Sequence, residues 1–309
     1  MKIAAIDLGT NSVILLILEK TSGGALIPLF QRSTITRIGY RVGQTGMIQP
    51  EAAARTLQTL QEYKTVIDQF EVAQVLAGAT SALRDARNSA EFMESVTHTI
   101  QLQPQIISGE EEARYVQVAT RHEFPAIDGD VLVFDIGGGS TELIAYNGSK
   151  IRYMQSHNVG AVRFTDAFVS GDPMTEAEAE TAREAVLGSL PGSEILPGKA
   201  TGIGCGGTIT TLQAVNLQLF SYDSTKIHKS VLTIRDVKKL FNLFRSRPLE
   251  ARKSITGLHP KRADIIPMGA LIALSVMQKF GLEQIFVSDR GLRWGMIYDF
   301  IEKMEKPAA

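Results

Sequence analysis

The amino-acid sequence predicts an α/β protein of two domains, each a mixed sheet flanked by helices. Three observations carry this: a hairpin-forming segment that occurs twice, strand and helix patterns that alternate after each occurrence, and a length that two medium cores would fill. "IAAIDLGTNSVILLIL" (3–18) lies on "VLVFDIGGGSTELIAY" (131–146) without a gap, which places Asp7 on Asp135, Gly9 on Gly137 and Ser12 on Ser140. In each copy four apolar residues precede the aspartate, and a largely apolar, partly β-branched run resumes after the small residues. That is the pattern of strand, tight turn, strand. A chain of 309 residues accommodates one large domain or two medium ones. The duplication favours two, 1–124 and 125–309, parting at Phe124 and Pro125, with the C-terminal helix (291–306) packing back on the first.

Between the hairpins, Glu51 to Phe70 reads as an amphipathic helix, Ala73 to Thr80 as a strand, and Ser89 to Ile100 as a helix. "QPQIISG" forms a short strand leading into a helix that begins near Gly109. After the second hairpin come a helix near Thr175 to Leu187 and a glycine-rich turn over Gly202 to Gly207 that opens a helix at Thr208. "TIRDVKKLFNLFRSR" is another helix, "ADIIPMGALIALSVMQKF" a buried one, "EQIFVSD" a strand, and "RWGMIYDFIEKMEK" the closing helix. The order βββαβα, used twice, calls for mixed sheets covered by helices.

Composition narrows the chemistry. With 32 Lys+Arg against 33 Asp+Glu, the net charge of −1 supplies no field that would draw the protein to nucleic acid or an anionic membrane. An anionic ligand must therefore be held by local groups. One cysteine, Cys205, rules out an intrachain disulfide framework and a Cys-rich zinc site. The five histidines are scattered without an HExxH pattern. No run of 18 apolar residues occurs, and the N-terminus reaches an aspartate at position 7 with no cleavage-site pattern. The expectation is a soluble cytoplasmic protein.

The hairpin turns are candidate phosphate loops. A Gly/Ser/Thr turn aims successive backbone N–H groups into one concavity and lets a bulky anion approach where a Cβ would block it. The aspartates that end the first strands are hard oxygen ligands suited to Mg²⁺. The competing reading is a turn that needs glycine only for its dihedrals. Gly202, Gly204 and Gly207 also match G-x-G-x-x-G, but "LPGKA" before them is a poor strand. The preferred reading there is anion binding at the N-terminus of the Thr208 helix. Cys205 reads as a small packed residue rather than a nucleophile.

In "ISGEEEARYV" (107–116), Ser108 and Glu111 fit the S-x-x-E capping box. Glu110 falls in solvent beside the helix dipole, whereas Glu112 shares a face with Val116 and Ala119 and leads the inward stripe. An inward carboxylate at the domain junction is a candidate for activating water. The alternative is a solvated acidic first turn.

"IDLGTNS", "TSALRDARN", "ISGEEEA", "FDIGGGSTE" and "GCGGT", in this order and spacing, resemble the exopolyphosphatase and guanosine pentaphosphate phosphohydrolase family from Asp7 to about Trp294. The resemblance implies the actin-like ATPase and sugar kinase superfold, whose two ribonuclease H-like domains enclose a phosphate cleft. It implies Mg²⁺-dependent release (Mn²⁺ as an alternative) of terminal orthophosphate from inorganic polyphosphate, or conversion of pppGpp to ppGpp. It further implies Glu112 as general base, Asp7, Asp135 and Glu142 in metal or water positioning, and phosphates at Gly9, Thr10, Asn11 and Ser12, at Gly137, Gly138, Gly139, Ser140 and Thr141, and at Gly206, Gly207 and Thr208. Arg84, in "SALRDARN", matches an arginine at the cleft. Its alternative is an exposed helix charge, although a guanidinium can hold phosphate bidentately. Two departures stand out. Trp294 occupies a position where the family carries a glutamate, with an expected effect on the cleft rim. The chain also stops before the C-terminal helical region of longer members, so their processivity is not carried over. A homodimer is compatible with the sequence, as are two rivals from the same superfold, a small-molecule kinase and a nucleotide-dependent assembly protein.

Overall fold

The computed structural model describes residues 1–305, which divide into two compact units, one of Met1–Ala119 with the segment from Leu292 and one of Thr120–Gly291. The first contains β1 (Lys2–Leu8), β2 (Ser12–Lys20), β3 (Leu26–Ile35), α1 (Val42–Thr45), α2 (Pro50–Gln69), β4 (Gln74–Ala79), α3 (Ser81–Asp85), α4 (Ser89–Ile100), β5 (Gln105–Ile106) and most of α5 (Gly109–Glu123). The second begins with β6 (Asp130–Ile136), β7 (Thr141–Asn147), β8 (Lys150–His157), α6 (Ala161–Phe168), α7 (Glu176–Ser189), β9 (Thr201–Cys205) and α8 (Gly206–Asn216). It continues with α9 (Ser224–Ile227), β10 (Val231–Thr233), α10 (Ile234–Arg245), α11 (Leu249–Arg252), α12 (Ile266–Lys279) and β11 (Gln284–Val287), before α13 (Leu292–Glu305) adds to the first unit. The first division thus falls within α5, at Ala119–Thr120.

The sheets share one plan. Their strand orders are β3-β2-β1-β4-β5 and, read from its far edge, β8-β7-β6-β9-β11-β10. Each opens with an antiparallel meander (β1–β2–β3, β6–β7–β8) and then adds a parallel strand beside the first, β4 on β1 and β9 on β6. The chain is therefore α/β with two mixed sheets flanked by helices, as the repeat predicts.

Because a strand's side chains alternate between faces, β1 serves two cores. Ala4, Ile6 and Leu8 join Leu60, Tyr63 and Ile67 of α2 and Phe92 and Val96 of α4. Ile3 and Ala5 pack with Ala119 of α5 and with Trp294, Ile297 and Ile301 of α13. Asp7 continues this second face at the end of the strand. Trp294 is only 3% exposed within that core, which corrects the expectation of an effect at a cleft rim.

A second correction concerns the glycine-rich segment. Thr201 to Cys205 is not a turn but the strand β9, paired in parallel on both sides with β6 and β11, and its helix starts at Gly206 rather than Thr208. Low β propensity is overridden because packing leaves no room for side chains. A Cβ on Gly202 would stand 2.7 Å from Ile285 Cγ2, and one on Gly204 2.7 Å from Ile285 Cδ1.

Candidate active site

Both hairpin turns close identically. Gly9 N–H donates to the Ser12 carbonyl at 3.0 Å, and Gly137 N–H donates to the Ser140 carbonyl at 3.0 Å. In the first turn the Thr10 carbonyl accepts from Gly39 N–H (2.8 Å), and the Asn11 carbonyl accepts from the amides of Thr36 and Arg37 (3.1 and 3.0 Å). In the second, the Gly137 carbonyl accepts from Ala161 N–H (3.0 Å) and the Gly138 carbonyl from the amides of Val162 and Arg163 (2.8 and 3.1 Å). Arg163 Nε donates to the Gly139 carbonyl at 2.7 Å. The acceptors are thus tied back into the fold. Among the described residues, nothing accepts from the amides of Thr10, Asn11, Gly138 or Gly139. A turn with its carbonyls engaged and its amides open presents donors to an anion.

A third set of donors lies at the start of α8. Its N-cap residue, Cys205, makes no side-chain capping bond, so the first-turn amides of Gly206, Gly207 and Thr208 lack the usual oxygen partner. Arg262 packs here, close enough that a Cβ on Gly207 would stand 2.5 Å from its Nη1. No periodic pattern marks this arginine, which ends a short 3-10 turn (Pro260–Arg262) before α12. Cys205 is fully buried, and burial pushes its thiol well above the usual range, so it is a packed residue.

The carboxylates are placed by strand ends and one helix start. Asp135 sits opposite Glu142 in the β6–β7 ladder, and directly opposed residues share a face. The backbone at Gly206 (φ 86°) favours glycine, and a Cβ there would overlap Asp135 Oδ1, while one on Gly291 would stand 2.9 Å from Oδ2. Glu142 is 2% exposed and accepts from Ser156 Oγ at 2.7 Å. In the first unit, Asp7 Oδ1 is buried without a hydrogen-bond partner. Burial pushes Asp7 up to about 7, with the positive field of Arg293 pulling it down and the negative field of Glu112 adding to the rise.

The helix with three glutamates separates them as its capping chemistry requires. Glu111 N–H donates to Ser108 Oγ at 3.1 Å and Ser108 N–H donates to Glu111 Oε2 at 2.9 Å, the two reciprocal bonds of a capping box. Glu110 and Glu111 are exposed, whereas Glu112 precedes the buried Val116 and Ala119 on the inward face. Arg84 Nη1 donates to Glu112 Oε2 at 2.7 Å and to the Ile107 carbonyl at 3.1 Å. Desolvation holds the Glu112 carboxyl above the ordinary range despite Arg84, whose charge and hydrogen bond pull it down. A carboxylate shifted upward and fixed by one guanidinium is a better proton acceptor than an ordinary one.

An implied divalent cation can be tested against these groups. The unpartnered Asp7 Oδ1 and the glycine cradle around Asp135 suit a hard, oxygen-seeking ion. Among the described residues, no group of three or more His, Cys, Asp or Glu side chains comes together to hold a metal. The donors fit Mg²⁺, which takes one or two carboxylates and completes its shell with water and phosphate oxygens.

The model of the Ppx/GppA phosphatase family matches residues 16–304. A Mycobacterium tuberculosis protein named exopolyphosphatase 2 is 31% identical over 310 residues, covering 96% of this chain and 97% of its own. A Fusobacterium nucleatum bifunctional 3-dehydroquinate synthase/phosphatase is 33% identical over 97% of this chain, which spans 46% of that longer protein. Among solved structures, an Aquifex aeolicus Ppx/GppA family member matches at 37% identity and a TM-score of 0.83, with 99% of both chains covered. An exopolyphosphatase from Cytophaga hutchinsonii matches at 26% identity and a TM-score of 0.86, with 98% of both chains covered.

Proposed function

Since the chain belongs to the Ppx/GppA phosphatase family and is a phosphoanhydride hydrolase, we propose that it is an exopolyphosphatase that removes terminal orthophosphate from inorganic polyphosphate. The observation that carries this reading is the common wiring of the two hairpin turns, whose carbonyls are tied back while their amides stay open. Such turns bind phosphate and ask for neither a base nor a sugar. The full-length relative named exopolyphosphatase 2 supports the same substrate.

The reaction needs little covalent chemistry from the protein. Glu112 takes a proton from water, the water oxygen bonds to the terminal phosphorus in line, and the bridging P–O bond breaks. Orthophosphate and a chain one unit shorter leave. Arg84 orients Glu112, and the turns at Gly9–Ser12 and Gly137–Thr141, with the α8 N-terminus at Gly206–Thr208, hold phosphoryl oxygens. Mg²⁺, held by Asp135 and Glu142 in the second unit or by Asp7 in the first, would supply further neutralisation of phosphoryl charge.

The test is a side-by-side measurement of kcat/KM for long polyphosphate, tripolyphosphate, pppGpp and ATP, with long polyphosphate expected to give the highest value. A higher value for pppGpp would make the chain a pppGpp 5′-phosphohydrolase using the same residues. ATP turnover that depends on a second substrate would move it to a kinase.

A further inference from the structure

Arg293 is a charge the reaction scheme above does not use. It lies in the first turn of α13, is 8% exposed, and its guanidinium makes no hydrogen bond or ion pair among the described residues. The other interior arginines differ. Arg252, 4% exposed, donates to the carbonyls of Ala263, Phe244 and Arg247 and to Asp172. Arg84 is engaged by Glu112 and Ile107. The Arg293 side chain is thus largely covered by packing while its guanidinium has no acceptor from the protein, which leaves its donors open to an anion.

The packing of the first unit shows where this charge lies. Helices α5 and α13 cover the β1 face that carries Ile3, Ala5 and then Asp7. Gly295 lets them approach closely, because a Cβ there would overlap the backbone of Tyr115. Glu112 is in the first turn of α5 and Arg293 in the first turn of α13, so both helix starts bring a charged side chain to the end of β1. The field of Arg293 is felt at Asp7, whose Oδ1 is itself without a partner. The result is a pair of groups of opposite sign, neither satisfied by the protein.

We propose that Arg293 is a phosphate-engaging residue: its guanidinium donates two hydrogen bonds to terminal phosphoryl oxygens of the substrate, beside Asp7 and the open amides of Thr10 and Asn11. This rests on the phosphoanhydride-hydrolase reading for its substrate, and on the unpartnered guanidinium for its residue. A planar fork matches two phosphoryl oxygens, which a lysine ammonium cannot do, so the chemistry also predicts that lysine substitutes poorly.

The experiment compares wild type with Arg293→Met, which keeps the apolar stem, and Arg293→Lys and Arg293→Gln, which keep polarity if the first does not fold. Steady-state hydrolysis of long polyphosphate is expected to lose about 10²-fold in kcat/KM for Met and Gln and about tenfold for Lys, the scale for one charged donor at a phosphoryl group. A second readout is the rise in melting temperature caused by tripolyphosphate and, separately, by orthophosphate, in the presence of EDTA. Loss of both rises in the variants assigns Arg293 to the terminal phosphate shared by substrate and product; loss of only the tripolyphosphate rise assigns it to the substrate chain. Melting is repeated in an Asp7→Asn background, where a mere counter-ion to Asp7 has nothing left to neutralise. If Arg293→Met still responds to both anions there, or if a folded variant keeps kcat/KM within twofold, the inference is overturned. Should wild type hydrolyse none of the phosphoanhydrides, the functional reading falls while the anion-induced melting shifts still judge Arg293.

Discussion

The two hairpins are built on one backbone and carry different chemistry. Both turns close with the same Gly-to-Ser hydrogen bond, and both follow a strand whose penultimate residue is aspartate. In the first, the turn residues Thr10, Asn11 and Ser12 have side chains that are almost wholly buried, and Asn11 Nδ2 is a buried donor without an acceptor. In the second, the corresponding residues are Gly138, Gly139 and Ser140, so the turn presents mainly backbone. The residue opposite the aspartate differs as well, being Ile14 in one ladder and Glu142 in the other. The first unit instead finds its second carboxylate on α5, as Glu112. A duplicated turn thus retains its anion-facing backbone while the acids around it diverge, because the wiring depends on main-chain geometry and the acids on side chains.

The comparison is tested most strongly on the acids. Asp135→Asn and Glu142→Gln are expected to lose phosphate release while remaining folded, as is wild type in excess EDTA; full turnover in EDTA, or wild-type rates from both variants, would leave the second hairpin as a phosphate cradle without a metal role. Next in size, Glu112→Gln is expected to lower kcat by roughly 10²–10⁴-fold with little change in polyphosphate affinity. Glu111→Gln keeps the capping box and is expected to stay within a few-fold of wild type. The reverse pattern would put the base one residue earlier, and activity in both variants would take it off this helix.

The smallest effect concerns stability. Burial raises the folded-state pKa of Asp7 to about 7 from an ordinary 3.8, so between these values the folded state binds more protons than the unfolded one. Stability contributed by the protonated carboxyl is present at low pH and lost as pH rises through about 7. In metal-free protein, Asp7→Asn is expected to raise the melting temperature by several degrees at pH 8, corresponding to a few kcal/mol, and by roughly a third as much at pH 5. Equal shifts at both pH values would show that Asp7 is not a buried acid, and the contrast between its turn and the second would weaken.

Much of this arrangement was legible in the chain. Period-two and helical patterns located the hairpins, α2, α4 and α12, because those elements bury regular stripes. The capping box separated Glu111 from Glu112 by local hydrogen bonding alone. Reading "TGIGC" as a turn failed because a central strand with both neighbours parallel can be made of glycine when Ile285 and Leu282 fill the space. Arg262 and Arg293 were missed for a related reason. Neither lies in a repeated turn, and an isolated arginine looks the same in sequence whether it faces water or an interior.

Neighbouring residues alone encode the repeat: two strand–turn–strand segments with Asp, Gly and Ser in register, and hence two sheets of the same plan, since local dihedral needs and alternating burial are written in adjacent positions. Which charges meet is settled by packing between elements far apart in the chain. Arg84 reaches Glu112 across 28 positions, α13 returns to β1 from the far end of the chain, and Gly206 and Gly291 enclose Asp135 from distant segments. These pairings arise from helices packing on sheet faces, and the energies that select them, of burial and desolvation, belong to no single stretch of the chain.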